Sequence, residues 1–405
     1  MKILVAAPYF YDSSRKEFSK TSSGFGYMVK DILDAISDCE DVYVFTHQFT
    51  DGYEDKFHVL KHNKRRIISS IRIKDFLTGC SDALKGKVNL NTKLHYFYYQ
   101  IDKGSFFKAV NTIKPDVVHI HGLTYQTKPF IEVCDELGVK YVVTLHGLNG
   151  INETVMLPDI EKEYEKTELL NLGNKNITVT VISTGILNKI RSVYGLDGSN
   201  IKVIINGTNF KSHNISKKNT NIYEIVCIGS ISFRKNQTQL IDSLKDISVE
   251  FKKRIHITFC GVDSDGIDLN SYIHRNGLQG IAEYKGFVPR EEMAAIWEKA
   301  DLNVVMSKDE GFGLSMIEGF MYGVPTATFS DLDAIADLFN EDAIVLFKSR
   351  QCEDVQRGII DCIQRRFDRN KIIEWGEKFS MTSIGEQYSA LYKEIIRNNI
   401  SYECK

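Results

Sequence analysis

Short runs of β-branched and other apolar residues alternate with amphipathic stretches along the whole chain, and this alternation constrains the fold more than any other feature. Such alternation is typical of α/β proteins with mostly parallel sheets. In the first half the apolar runs predict strands at residues 3–7, 42–45, 117–120, 141–145, 178–182 and 201–205. In the second half they predict strands at residues 225–229, 256–261, 282–284, 302–306 and 326–329. The sequence therefore predicts an α/β chain in which the strand-helix pattern starts twice.

A polar stretch without periodicity, residues 206–220, separates the two halves and is typical of a linker. At 405 residues the chain is long enough for two domains. We predict a first domain over residues 1–208 and a second domain over residues 209–383. Because ligands of open α/β sheets bind outside the strand ends, we expect a cleft between the two domains.

The charge balance and the cysteines limit the class of protein. Lys and Arg total 51 against 53 Asp and Glu, which gives no reason to expect nucleic acid as a partner. Eight cysteines are scattered without a Cys-x-x-Cys pair, which indicates reduced thiols in a cytoplasmic protein. The apolar start is too short for a signal peptide and contains Pro8, and no run of about 18 apolar residues occurs. We therefore expect a cytoplasmic protein without a membrane-spanning helix.

Two glutamates, Glu310 and Glu318, flank a glycine turn that follows the predicted strand 302–306. The turn precedes a predicted helix over residues 314–322, which Gly-Val-Pro closes. Because the free N–H groups at a helix start carry partial positive charge, this turn can hold a phosphate. The two carboxylates can accept hydrogen bonds from hydroxyls on either side of it. An anion site between two acids suits a sugar nucleotide.

The segment from Glu310 to Glu318 resembles the signature of the family-four retaining glycosyltransferases, in which seven residues separate two glutamates. The resemblance covers most of the chain and implies the GT-B fold, with two Rossmann-like domains that face each other across a cleft. It implies that the C-terminal helix, within residues 384–405, packs back on the first domain. The implied reaction moves a sugar from a nucleotide-diphosphate sugar, a UDP- or GDP-sugar, to a hydroxyl acceptor with retained anomeric configuration.

The resemblance also implies partners and roles. The acceptor would be a glycan, a lipid-linked molecule or a protein in bacterial polysaccharide or glycoconjugate synthesis, and the sugar a hexose or an N-acetylhexosamine. Glu310 would hold the donor sugar and Glu318 the ribose hydroxyls. The diphosphate would be bound by Lys235 and by the amides of Gly313, Leu314 and Ser315. No cofactor is expected besides the donor.

Lys235 follows a predicted strand and precedes a predicted helix, where a cation can neutralise a leaving diphosphate. It keeps the lysine position of the family, whereas Ser230 stands where the family has an arginine. Two interpretations of Arg234 stay open: it replaces that arginine, or it is solvated.

Two further features of the second half match the family in part. Gly286, Phe287 and Val288 would frame the nucleotide base, although ordinary turn residues explain them equally well. Ser307 fits the serine that precedes the first glutamate, but Met306 replaces the usual proline.

In the first domain, Gly24 and Gly26 lie in a predicted loop, residues 22–26, ahead of a predicted helix over residues 27–36. Val29 stands where a dinucleotide fingerprint needs a third glycine, and strand two ends without an acid, so a nicotinamide site is disfavoured. The resemblance makes this loop the one that faces the donor.

His121 and His146 both end predicted strands and precede glycines, where a side chain can reach a cleft. The family pattern favours His146 as a contact of the sugar or the acceptor, while a core position explains His121 at least as well. The two histidines lie on separate strands without a clustered carboxylate, so they make a poor metal site, and we expect no metal.

Residues 61–76 carry six Lys and Arg interleaved with isoleucines. This pattern predicts peripheral contact with an anionic membrane, and a solvated helix explains it equally well. The aromatic residues 95–99 would lie at the lipid interface or pack in the interior. Other functions stay open too: a sugar-nucleotide epimerase or a phosphorylase on the same fold, or a non-catalytic partner of another glycosyltransferase.

Overall fold

The computed structural model describes residues 1–19, 23–84, 88–151, 157–212 and 221–403. The chain divides into two compact units, the first formed by Met1–Asn206 with Met381–Lys405 and the second by Gly207–Ser380. Residues 213–220 of the predicted linker, Ser22 of the predicted glycine loop and residues 404–405 lie outside the described residues.

The first unit is built on a sheet of eight strands. These are β1 (Lys2–Ala7), β2 (Asp41–Thr46), β3 (Tyr53–Glu54), β4 (His58–Val59), β5 (Val117–His121), β6 (Tyr141–Leu145), β7 (Val179–Val181) and β8 (Ile201–Val203). Their order is β3-β4-β2-β1-β5-β6-β7-β8, and all pairs are parallel except β3 with β4. Strands β5 and β6 are buried at every residue, as expected for strands covered on both faces.

Seven helices connect these strands in the described part of the first unit. They are α1 (Gly24–Ser37), α2 (Lys64–Ile68), α3 (Ile73–Leu84), α4 (Leu90–Ile113), α5 (Lys128–Leu137), α6 (Asp159–Asn174) and α7 (Thr184–Lys189), which a π-helical turn (Ile190–Tyr194) continues.

The second unit has six strands, all parallel, in the order β11-β10-β9-β12-β13-β14. The strands are β9 (Tyr223–Ile228), β10 (Ile255–Cys260), β11 (Ala282–Tyr284), β12 (Leu302–Val304), β13 (Thr326–Thr328) and β14 (Ile344–Leu346). The helices are α8 (Gln237–Leu244), α9 (Val249–Lys252), α10 (Leu269–Arg275), α11 (Arg290–Lys299), α12 (Leu314–Phe320), α13 (Ile335–Leu338), α14 (Cys352–Gln364) and α15 (Arg369–Gly376), followed by a 3₁₀ turn (Glu377–Phe379). Apolar residues of β9, β10 and β12 form its core with α8 and α14.

The last helix, α16 (Met381–Glu403), belongs to the first unit and packs on α1. The two helices approach so closely that a Cβ at Gly385 would lie 2.5 Å from the carbonyl oxygen of Ala35, and glycine is required there. Tyr392 on α16 is hydrogen-bonded through its hydroxyl to Nδ1 of His119 on β5 over 2.7 Å. These contacts attach the end of the chain to the centre of the first sheet.

The predicted α/β class with mostly parallel sheets is confirmed. The interpretation of residues 61–76 as one solvated helix is wrong, because α2 ends at Ile68 and α3 begins at Ile73. The aromatic residues 95–99 lie on α4, where Tyr96 is buried and donates a 2.6 Å hydrogen bond to Glu161. In the described part of the chain every cysteine is free of disulfides, and no helix there combines the length and the apolarity needed to cross a membrane.

Candidate functional site

The ends of β9 and β12 bring Lys235 and Glu310 together, because these two strands are parallel neighbours in the second sheet. The Lys235 ammonium donates to Oε2 of Glu310, and the two side chains are only 16% and 12% exposed. The Ser307 hydroxyl donates to the same Oε2 over 3.1 Å. Both contacts therefore use one oxygen of Glu310.

The charge of Glu310 is set by opposing influences. Burial raises the pKa of its carboxyl, but the Lys235 and Arg234 cations and the hydrogen bonds from Lys235 and Ser307 outweigh burial and hold that pKa below its usual value. Glu310 is therefore an ionised carboxylate at neutral pH. An ion pair this sheltered from water is a strong local dipole at the end of the sheet.

Hydrogen bonds to backbone carbonyls connect the loop that carries Arg234 with the loop that carries Glu310. One guanidinium nitrogen of Arg234 donates to the carbonyl of Asp309 over 2.9 Å, and the amide of Lys308 donates to the carbonyl of Arg234 over 2.8 Å. Arg234 is half-buried, so the structure shows more than a solvated side chain here. Its role toward a ligand stays a prediction.

Gly229 lies directly beside the side chain of Lys235. Its φ of 142° is in a region that favours glycine, and a Cβ there would lie 3.4 Å from Cε of Lys235. Ser230, which stands in place of the family's arginine, is half-buried, and its carbonyl accepts a 2.9 Å hydrogen bond from Gln237. A side chain at position 229 would therefore strain the backbone, while its Cβ would make ordinary van der Waals contact with the lysine.

The helix α12 presents the remaining predicted donor contacts. Gly313 caps it with a φ of 78°, and its carbonyl accepts a 2.9 Å hydrogen bond from the amide of Met316. The amides of Leu314 and Ser315 lie ahead of it at the helix start, where an N–H has no carbonyl of the helix to donate to. Leu314, Ser315 and Glu318 are its half-buried residues and lie on one face, since positions three and four apart are neighbours on a helix. The helix ends at Phe320, two residues before the predicted end.

Two residues that sequence reasoning missed position this site. Asn303 is fully buried in β12, and its amide donates to the carbonyl of Ser315 and the hydroxyl of Thr326, both over 3.2 Å. An asparagine within an apolar run was the signal for it. Arg350 donates to the carbonyl of Ser307 over 3.0 Å, and no local pattern indicated this role.

The loops after β10 and β11 meet through their backbones. The amide of Gly261 donates to the carbonyl of Gly286 over 2.8 Å. Phe287 is 43% exposed, and Val288 packs on the cluster around Trp297. The predicted base-framing residues are thus adjacent to the strand ends of this unit, while their contact with a base stays a prediction.

In the first unit, the prediction that Gly24 and Gly26 lie in a loop is wrong. Both are in the first turn of α1, because Ser23 caps the helix and accepts a 3.1 Å hydrogen bond from the amide of Gly26. The cap starts the helix three residues earlier than predicted, despite the low helix propensity of glycine. The intervening Phe25 then contacts His146, with ring centroids 4.9 Å apart.

His146 is half-buried at the end of β6, and its Nε2 is hydrogen-bonded to Nδ1 of His121 over 2.9 Å. Burial lowers the pKa of His146 to about 4, and burial with the neighbouring rings lowers the pKa of the fully buried His121 well below its usual value. The pair is therefore neutral and shares one proton along the bond. His121 has no protein partner at Nε2 among the described residues.

Comparisons with known proteins agree with this architecture. A model of glycosyl transferases group 1 matches residues 208–379, and a model of glycosyltransferase family 4 matches residues 80–211. An O-antigen chain mannosyltransferase of Salmonella typhimurium is 24% identical over 66% of this chain and 80% of its own length.

Two solved structures share the fold. Sucrose-phosphate synthase from Thermosynechococcus elongatus superposes with a TM-score of 0.74 at 15% identity, covering 98% of this chain and 100% of that one. The Anabaena protein HepE, solved with UDP and glucose, has a TM-score of 0.63 at 16% identity, covering 96% and 99%. With two Rossmann-like units and both family matches, the chain is a family-four-like glycosyltransferase of the GT-B fold.

Proposed function

We propose that this glycosyltransferase moves a sugar from a UDP- or GDP-sugar to a hydroxyl of a glycan acceptor, with retained anomeric configuration and without a bound metal. The pairing of Lys235 with Glu310 carries the proposal, since it puts a cation and an ionised carboxylate side by side at the strand ends. The UDP bound by HepE and the O-antigen chain in the name of the Salmonella mannosyltransferase support the donor and acceptor classes.

The diphosphate would be bound by the Lys235 ammonium and the first-turn amides of α12. Negative charge grows on the diphosphate as the bond to the sugar breaks, so donors fixed in advance stabilise the transition state more than the ground state. Glu318, on the same face of α12 as Leu314 and Ser315, would accept hydrogen bonds from the ribose hydroxyls.

Glu310 would act on the sugar through its second carboxylate oxygen. Oε2 is engaged by Lys235 and Ser307, which leaves Oε1 for a donor-sugar hydroxyl. A carboxylate held by an ammonium is a weak nucleophile, but its charge still stabilises positive charge at the anomeric carbon. This arrangement fits a front-side reaction: the anomeric carbon loses its bond to the diphosphate, bonds the acceptor oxygen on the same face, and the acceptor proton passes to the diphosphate.

A panel of UDP- and GDP-sugars, incubated with the protein and a set of oligosaccharide acceptors, tests the function. We expect acceptor-dependent release of one nucleoside diphosphate, a product with the donor's anomeric configuration by NMR, and unchanged rates after addition of a chelator. Lys235→Ala is the matched inactive control. Inverted product, or activity lost with chelator and restored by magnesium, would contradict the proposal.

A further inference from the structure

Helix α3 buries acidic residues and exposes aliphatic ones, the reverse of an ordinary surface helix. Its buried residues are Asp75, Gly79 and Asp82, whereas Ile73 is 82% exposed and Leu77 is 62% exposed. A surface helix normally turns its apolar stripe toward the core and its charged residues toward water. Here the apolar side chains lie outside, which calls for a partner that covers them.

Charged partners hold the helix in this orientation. Asp75 accepts two hydrogen bonds from the guanidinium of Arg72, just before the helix, over 2.6 and 3.0 Å, and is 3.9 Å from the ammonium of Lys103 on α4. Asp82 is paired with the ammonium of Lys128 and accepts a 3.3 Å hydrogen bond from the amide of Gln100. Rotation of α3 to bury its apolar face would move Asp75 away from Lys103 and Asp82 away from Lys128, so these contacts stabilise the outward orientation.

The segment that precedes α3 adds positive charge and more exposed apolar surface. Ile68 is 70% exposed, and in the described part of the chain the exposed cations Lys64 and Arg65 form no ion pair. An open depression of about 820 Å³ lies beside them, and its lining includes Phe49, Asp51, Lys61 and Arg66. Asp51, its one carboxylate, is 3.0 Å from the ammonium of Lys61.

This surface is formed in advance of any partner. Asn63 caps α2 by accepting a 3.0 Å hydrogen bond from the amide of Arg66. The chain after α2 lies directly against α4, where a Cβ at Gly104 would lie 1.9 Å from the carbonyl oxygen of Ser70. Docking on it therefore requires little reordering of the backbone.

We propose that α2 and the outward face of α3 dock on an anionic lipid bilayer. Lys64 and Arg65 would contact the headgroup phosphates, and Ile68, Ile73 and Leu77 would enter the interfacial layer. Unpaired cations beside exposed aliphatic side chains are the combination that holds proteins at anionic interfaces. The proposal does not depend on the chemistry assigned to the second unit.

Flotation of the full chain with vesicles tests it. We expect binding to vesicles of equal parts phosphatidylcholine and phosphatidylglycerol at about 0.1 M salt, release at about 1 M, and no binding to phosphatidylcholine alone. Replacing Lys64 and Arg65 by Ala should weaken binding by on the order of thirtyfold, since each basic side chain near the surface contributes about 1 kcal/mol. Ile73→Ser with Leu77→Ser should weaken it by at least tenfold.

The matched control replaces Lys253 and Val249 of the second unit, a lysine and a 69% exposed valine, by Ala and Ser. This control should float like the unchanged protein, and all three variants should unfold at the same temperature as it does. Absence of binding to anionic vesicles would overturn the proposal. So would equal binding of all variants, or a lipid-free dimer that the Ile73 and Leu77 replacements dissociate, which would assign the surface to a second copy of the chain.

Discussion

A double-mutant cycle can separate the roles of Lys235 and Glu310, because we expect donor binding and turnover to respond differently to the two substitutions. Each residue satisfies the charge of the other, and both are largely buried. With a diphosphate bound, the ammonium would lie between two anions. Removing Lys235 then has two effects: it deletes a hydrogen bond to a charged group and leaves the Glu310 carboxylate facing the diphosphate.

The magnitudes follow from the geometry. A hydrogen bond to a charged group contributes about 1.5–3 kcal/mol. Two unit charges about 8 Å apart at an effective dielectric constant of about 20 repel by about 2 kcal/mol. Lys235→Ala should therefore weaken nucleoside diphosphate binding by about 4 kcal/mol, or roughly a thousandfold. Adding Glu310→Gln removes the repulsion and should recover about thirtyfold of that affinity.

Turnover should not recover, because in the proposed reaction the carboxylate of Glu310 stabilises positive charge at the anomeric carbon. Titration calorimetry with the nucleoside diphosphate that the unchanged protein releases measures binding, and initial rates at saturating donor measure kcat. Lys371→Ala with Asp342→Asn, an exposed pair 3.3 Å apart in the same unit, is the control cycle and should leave both quantities unchanged. If the double variant binds no better than Lys235→Ala, the ammonium does not lie between the two anions.

Two further predictions concern single residues. Glu318→Ala should raise the Kd of the nucleoside diphosphate by about tenfold to a hundredfold with kcat nearly unchanged, since the ribose would lose hydrogen bonds while the proposed contacts of the reacting sugar remain; unchanged affinity in calorimetry would remove Glu318 from the site. His119 is fully buried, and burial lowers its pKa to about 3, so the folded state binds fewer protons than the unfolded state below a pH of about 6.5. The free energy of unfolding should therefore fall by about 2 kcal/mol from this ring as the pH drops from about 7 to about 5. His119→Gln should reduce that pH dependence in urea unfolding. An unchanged dependence would show that the ring is not its cause.

The central strands were predictable because burial on both faces concentrates apolar residues. Strand β6 has the predicted bounds, and β5 extends one residue further. Strands β3 and β4, at one side of the first sheet, were missed because two residues carry no periodicity, and the edge strand β14 was missed as well. At such positions pairing with a neighbour decides the structure, and the neighbour is not visible in the local sequence.

Both halves of the candidate site were found from separate motifs, but the contact between them was not predictable. Lys235 and Glu310 are 75 positions apart, and they meet because β9 and β12 pair in parallel with one residue-to-residue register. Strand order is a property of the whole sheet. Each motif therefore indicated its own residue as a candidate. That the ammonium of Lys235 contacts the carboxylate of Glu310 follows from the strand order.

Helix α3 shows why an amphipathic pattern predicts two faces without predicting which one is buried. The pattern alone favours Ile73 and Leu77 toward the core. The structure turns them outward because Asp75 and Asp82 meet Arg72 and Lys128, and a carboxylate with such partners can be buried where an unpaired one cannot. Lys128 is 46 positions from Asp82, so the direction of the helix is decided by a long-range ion pair. A pattern that places acids opposite aliphatic residues is thus compatible with either orientation of the helix. Which face is buried depends on whether neighbouring elements offer cations to the acids.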